Sequence, residues 1–465
     1  MNLIIKGTSY LILSFVIITY NDGPGLHRTL RFIAAQRVPA HISTEVIVID
    51  DGSSHPQRDT IAEYAASLPR LTYKYRPRDS ASCRAIARNM GAELAAGDIL
   101  IFLDSGVMIS PDFAALVADR FRIDSEHVLV HEVLGLNRIP GIDASPLDEA
   151  SPHTLHEIAA LLKDHEHWAD SRAGIFRTTG NDLNKLPAPW SLGWTAALSL
   201  AKLPFVKAGG FDSTIIKWGS EDTDLCCRLH RNGIRFYAER EAYAIHYPHP
   251  ADTATNEQAN FLNRRALHRK VGNLHTEIYP YYPDTLLNQA VSQWERLAIK
   301  DLLPQYPATT AAALRAYADS SSRSLLIGSD DISFIDRISP TTLLVPHTED
   351  ARFIRNRVPG LEIYHLLGID TPFESESFDI VIITDYIRLF PPCLRGPLLN
   401  ELTRVAKRVL CLYTPDYVSA GLPAGLWPWW DMQGSPLKSQ SLSPLTAQGG
   451  SIIYEITEYG RSLEN

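Results

Sequence analysis

Residues 11–20 read LILSFVIITY, and Asn21-Asp22-Gly23-Pro24-Gly25 breaks the run at once. So continuous an apolar stretch predicts a strand buried on both faces of a parallel sheet, since a half-exposed strand alternates instead. Leu26, Leu30 and Ile33 follow at helical spacing. A second apolar run, 46–49, ends in Asp50-Asp51-Gly52-Ser53. Then come a helix-like segment to about Leu68, a short strand at 71–75 and an Ala-rich helical stretch at 82–96. Residues 99–103 (ILIFL) form another buried strand, closed by Asp104-Ser105-Gly106. Strand and helix alternate four times, which predicts an α/β layered domain on a parallel sheet. Ligands of such sheets sit beyond the carboxyl ends of the strands, where Tyr20-Asn21, Asp50-Asp51 and Asp104 all fall.

Carboxylates there can accept hydrogen bonds from a nucleobase N–H or from ribose hydroxyls. They repel a diphosphate unless a divalent cation, held by oxygen ligands, lies between. Asp-Gly at a strand end is also ordinary turn chemistry; acids at or just past three strand ends, Asp22, Asp50-Asp51 and Asp104, fit a ligand better. Neither GxGxxG after the first strand nor GxxxxGK[ST] anywhere is present. This argues against a dinucleotide oxidoreductase and a P-loop nucleotidase, whose glycines admit phosphates to the backbone.

Farther on, Trp218-Gly219-Ser220-Glu221-Asp222-Thr223-Asp224-Leu225 places three carboxylates in four positions behind a Trp-Gly turn, after Gly209-Gly210-Phe211-Asp212. Leu225 and Leu229 recur at i, i+4, so Ser220 reads as an N-cap and the acids as a first helical turn. Acids so placed also simply oppose the helix dipole.

Together these elements resemble the family-2 glycosyltransferases, inverting enzymes of the GT-A fold, over residues 10–275. The likeness rests on Thr19-Tyr20-Asn21, Asp50-Asp51-Gly52-Ser53, Ala87-Arg88-Asn89-Met90-Gly91, Phe102-Leu103-Asp104-Ser105-Gly106 and the Trp218 run. The resemblance implies that Thr19, Tyr20, Asn21, Asp50, Asp51 and Arg88 serve the nucleotide-sugar donor, a UDP-sugar by family habit, and that Asp104 faces its ribose and metal. It implies Asp222 as general base, with Glu221 helping to hold the acceptor. A metal-binding His is implied near the end of the catalytic domain; His246 fits, with His249 as the alternative. Trp194 and Trp218 are candidate acceptor-binding faces, and Trp190 lies near them in sequence; core packing is the plainer role of each. Gly106 stands where the family's Asp-x-Asp motif has its second acid. Asp104 and His246 then hold Mn²⁺ or Mg²⁺ with water and diphosphate oxygens, or metal binds weakly, or the enzyme does without it.

The 465 residues exceed one usual domain. A net charge of −9 without a Lys/Arg-rich run argues against a nucleic-acid partner. Five cysteines without CxxC spacing suit a reducing cytoplasm, and the apolar run at 8–20 is too short to span a membrane. Residues 137–190 lack periodicity and read as an insertion over the active-site face, a candidate acceptor loop. Tyr279-Pro280-Tyr281-Tyr282-Pro283 marks a boundary, giving domains 1–275 and 295–465 with a linker at 276–294. In the second domain, strands at 324–327, 342–345, 378–383 and 409–412 and a helix at 398–405 resemble the class I methyltransferase fold, a Rossmann-like α/β arrangement. The cofactor loop reads Gly328-Ser329-Asp330-Asp331-Ile332, with one glycine. A degenerate, non-catalytic domain for dimerisation or acceptor binding is therefore expected. The expected function is inverting transfer of a hexosyl or N-acetylhexosaminyl group to a glycan, peptide or small-molecule acceptor. A bifunctional glycosyltransferase–methyltransferase and an inactive sugar-binding protein are the alternatives.

Overall fold

The computed structural model describes residues 11–136, 143–248, 253–297, 302–318, 322–414, 442–448 and 451–456. The chain divides into two compact units, Met1–Asn263 and Arg264–Asn465, each with a mixed α/β sheet.

The first unit is built on strands β1 (Leu11–Thr19), β2 (Ile42–Asp50), β3 (Leu71–Tyr75), β4 (Ile99–Asp104), β5 (Val107–Ile109), β6 (His127–Leu134), β7 (Ala197–Ala201) and β8 (Arg235–His246), in the order β3-β2-β1-β4-β7-β6-β8-β5. β1 is buried on both faces: Phe15 and Ile17 join one core with Leu26, Leu30 and Ile101, while Val16 meets the opposite helical layer. A methyl group at Gly91 would collide with Val16 Cγ1, so the glycine lets the Arg84–Leu94 helix lie directly on β1. In parallel register Thr19 pairs with Asp50 and Ile18 with Asp104, which sets three strand ends side by side.

The expected parallel sheet is present in the four strands read from the sequence, β3-β2-β1-β4; beyond them the sheet is mixed. β7 runs antiparallel to both β4 and β6, β8 is parallel to β6, and β5 is antiparallel to β8. It follows from these senses that residues 135–196 both leave β6 and enter β7 at the carboxyl-end face. This segment is not an unpatterned loop. It holds helices Ser145–Asp148, Leu155–Lys163 and Ala173–Thr179 and two 3₁₀ turns, pieces too short to print a helical period on the sequence.

The second unit orders its strands β11-β10-β9-β12-β13-β15-β14, with β9 (Ser324–Ile327), β10 (Thr342–Val345), β11 (Glu362–His365), β12 (Phe378–Ile383), β13 (Ala406–Tyr413), β14 (Leu442–Gln448) and β15 (Ser451–Ile456). The first five are parallel, with the chain reversing direction across the sheet between β9 and β12; β15 is antiparallel to β13 and β14. Leu326, Leu343, Ile380, Ile382, Leu410 and Leu412 form its core with Phe334 and Ile335. Residues 276–294, read above as a linker, carry most of the Asp284–Arg296 helix, whose Leu287, Val291 and Trp294 are buried. Glu277 is fully buried and accepts backbone N–H bonds from Leu367, Gly368, Ile369 and Asp370.

Candidate active site

The site grows from the Arg84–Leu94 helix. Arg88, 3% exposed, sends Nη1 to Glu221 Oε1 at 2.8 Å and Nη2 to Asp104 Oδ1 at 2.9 Å. One guanidinium thus ties the end of β4 to the start of the Glu221–Arg231 helix. The planar fork suits this double bond, which the single ammonium of lysine does not reproduce. Burial works against the charge on Arg88, but Asp104, Glu221 and Asp222 outweigh it and raise its pKa. Burial likewise pushes the Asp104 carboxyl up, and the charges of Arg88, Arg84 and His246 more than reverse this, holding it below the ordinary carboxylate value.

Asp222 is half-buried beside this bridge. Thr195 N–H donates to its Oδ2 at 3.3 Å and Thr223 N–H to its Oδ1 at 2.8 Å. The third acid, Asp224, is buried and bonded to Arg228 Nε and Nη2 at 2.9 and 2.6 Å, one helical turn on, and so braces its own helix. Ser220 occupies the N-cap position, but its hydroxyl does not cap. Its backbone is left-handed (φ 67°), and its Oγ donates to Asn260 Oδ1 at 2.6 Å. Asn263 bonds the carbonyls of Trp218 and Gly219, so the Trp-Gly turn is pinned from the following helix.

The donor candidates divide into two sets. Asp50 is fully buried; its carboxylate accepts from Ser53 N–H, Gln57 N–H and the Tyr73 hydroxyl, and holds the 53–57 loop. Asp51 accepts from Arg76 at 3.0 Å and lies 3.6 Å from Arg78, and burial raises its pKa despite both charges. Thr19 is 3% exposed, whereas Tyr20 is 47% exposed with the Arg78 guanidinium 4.1 Å from its ring centroid. Asn21, in the left-handed region at φ 52°, accepts from Ser54 N–H and Oγ.

His246 ends β8 in register with Val107, three residues past Asp104, and close enough for its charge to act on that carboxyl. His249 lies outside the described residues. Gly106 has φ +89°, which an acidic side chain would adopt only under strain; the turn between β4 and β5 requires glycine there. No group of three or more His, Cys, Asp or Glu fit to hold a metal ion occurs among the described residues. Trp194 is half-buried, with the Arg172 guanidinium 4.2 Å from its ring; Trp218 is half-buried with Arg84 at 5.9 Å; Trp190 is 2% exposed and belongs to the core.

The family model described as glycosyl transferase family 2 matches residues 14–135, and one described as the N-terminal domain of galactosyltransferase matches 178–250. A validoxylamine A glucosyltransferase of Streptomyces hygroscopicus subsp. jinggangensis is 30% identical over 387 residues, covering 80% of this chain and 90% of that protein. The chain belongs to glycosyltransferase family 2. A second validoxylamine A glucosyltransferase, of S. hygroscopicus subsp. limoneus, is 31% identical over 80% of this chain and 84% of its own. Both alignments are longer than the 263-residue first unit, so the likeness reaches into the second. Among solved structures, S. aureus TarS 1–349 in complex with UDP matches with a TM-score of 0.41 and 17% identity, over 66% of this chain and 80% of that one.

Three features of this glycosyltransferase escaped the sequence reading. Asn89 accepts from Phe211 N–H and donates to Phe211 O, both at 2.8 Å, clamping the Gly-Gly-Phe-Asp turn. Asp22 accepts from Ser105 Oγ at 2.7 Å and Gly25 N–H at 3.0 Å, joining the ends of β1 and β4. The Thr195 contact to Asp222 comes from a backbone group, which no residue type announces. The Asn of the Ala-Arg-Asn motif and the Asp of Asn-Asp-Gly were visible signals for the first two.

Proposed function

We propose that the first unit transfers a glucosyl group from a nucleoside diphosphate glucose, UDP-glucose foremost, to a hydroxyl of a small-molecule acceptor with inversion. The arrangement of Asp222 carries the reading. Two backbone N–H groups fix its carboxylate beside the Arg88 bridge to Asp104. In this reading Asp222 takes the proton of the acceptor hydroxyl as its oxygen attacks the anomeric carbon. The bond from that carbon to the β-phosphate oxygen breaks, and its electron pair leaves with the nucleoside diphosphate. A single displacement of this kind inverts the centre. Thr19, Tyr20, Asn21 and Asp51 border the nucleoside, with Asp50 behind them as a brace. Glu221, Trp194 and Trp218 flank the acceptor. Glucose and a small acceptor are supported by what the two Streptomyces relatives are called.

The donor set fits a hard divalent cation in part. Arg88 occupies Asp104 Oδ1, leaving Oδ2, and His246 stands near it. These two residues would hold Mn²⁺ or Mg²⁺, with remaining oxygens from diphosphate and water. Such a cation supplies charge neutralisation at the diphosphate. A panel of nucleotide sugars incubated with validoxylamine A and other polyhydroxylated amines, read by mass spectrometry, tests the proposal. Transfer of glucose to one of them is expected; hydrolysis of donors without transfer to any of them overturns it.

For the second unit we infer a methyltransferase-like domain that has lost its cofactor. The parallel order β11-β10-β9-β12-β13 supports the likeness, because nucleotides bind such sheets where the strand order reverses. The loss is supported by Gly328, after β9: a methyl there would collide with Tyr386 Cβ, so that side chain already lies against the glycine. Trp294 and Phe390 pack edge-on to the Tyr386 ring.

A further inference from the structure

Arg84 begins the helix that carries Arg88, one turn earlier and therefore on the same face. Arg88 is consumed between Asp104 and Glu221, and its one positive charge offsets only one of these two carboxylates. Arg76 and Arg78, near the nucleoside end, are paired with Asp51. Arg84 makes no ion pair among the described residues, and it is exposed. Its guanidinium lies 5.9 Å from the centre of the Trp218 ring, and its charge acts on Asp104. Those two neighbours place it at the mouth of the site, between the end of β4 and the Trp-Gly turn. The acids there, Asp104, Glu221 and Asp222, outnumber the single buried cation Arg88. A nucleoside diphosphate brings further negative charge and gains more as it leaves. Gly106 supplies no second carboxylate for a cation, so less of that charge can be met by metal than where two acids are present.

We propose that Arg84 binds the diphosphate of the donor and takes up the charge released when the anomeric carbon–oxygen bond breaks, a catalytic role for a residue outside the acidic motifs. This rests on the nucleotide-sugar reading of the site. A guanidinium meets two phosphate oxygens at once, and a charge-assisted contact of that type is worth about ten- to a hundredfold in affinity.

The test is calorimetric binding to the full chain, with UDP, GDP and ADP as probes and the matching nucleosides as controls, in Mn²⁺ and again in excess chelator. Arg84→Ala and Arg84→Gln are expected to weaken binding of the preferred diphosphate about ten- to a hundredfold. The nucleoside should bind as it does to the parent. The loss is expected to be larger in chelator, where the guanidinium stands alone. Diphosphate affinity within about twofold of the parent in both variants overturns the role of Arg84 and leaves the donor reading intact. Equal weakening of nucleoside and diphosphate also overturns it, since the effect would then not be at the phosphates. A parent chain that binds none of the three diphosphates overturns the donor reading, and the Arg84 proposal with it.

Discussion

At Asp222 each carboxylate oxygen receives one backbone N–H; Asp222→Asn keeps the size of the side chain and, through its amide oxygen, one of these two bonds, while removing the proton acceptor. Turnover is expected to fall about 10²- to 10⁴-fold, with nucleotide affinity unchanged. Steady-state kinetics beside calorimetry check this, and turnover within about threefold of the parent contradicts it. His246→Ala is expected to weaken Mn²⁺-dependent nucleotide binding, because only Asp104 would then remain as a protein ligand. Calorimetry with and without chelator measures it; a variant that keeps the full Mn²⁺ effect contradicts the assignment. At this scale, the sequence displayed residue types and concealed pairing. Asp50 and Asp51 look equivalent in the chain, yet one is buried under three donors and the other faces two arginines. Asp224 looks like a third catalytic acid and is instead bonded to Arg228. Such differences depend on partners distant in sequence or hidden in the backbone.

Among the elements, β6 carries two histidines that its surroundings hold neutral. Burial pushes His131 and His127 down to about 4, from 6.5. His131 is bonded to Ala242 O and Ser199 Oγ at 2.7 Å each, and His127 stacks on Phe121. A folded-state pKa below the unfolded one means that the unfolded chain binds the proton first. Stability of the first unit is therefore expected to be intact above pH 6.5 and to fall as the pH drops toward 4, where the folded form also protonates. Urea titrations between pH 7 and 4.5 read this directly, and His131→Gln should shallow the slope. A midpoint independent of pH over that window contradicts it. The elements themselves were unevenly legible. β1, β2 and β4 are apolar runs closed by turn residues, and the chain announces them; β3 alternates instead. β7 follows an insertion of short helices, and its direction is decided by where that insertion leaves and re-enters the sheet. Such long-range geometry leaves no local pattern.

Over the whole molecule, the two sheets were legible as two, because each needs its own apolar strands. The division at residue 263 was not, because it falls inside a continuous helix, Thr253–Val271, where composition does not change. No described helix is long and apolar enough to cross a membrane. The second unit fills the space beside Gly328 with Tyr386, so S-adenosylmethionine is expected not to bind at physiological concentrations. Calorimetric titration of the full chain checks this, and a low-micromolar dissociation constant contradicts it. The central claim is a single displacement at the anomeric carbon, with Asp222 as its base. It is tested most directly by the proton NMR spectrum of the product made from UDP-α-glucose and validoxylamine A, read at the new anomeric centre. The account predicts a β-linked glucoside; an α-linked product contradicts it, as does the absence of any transferred glucose.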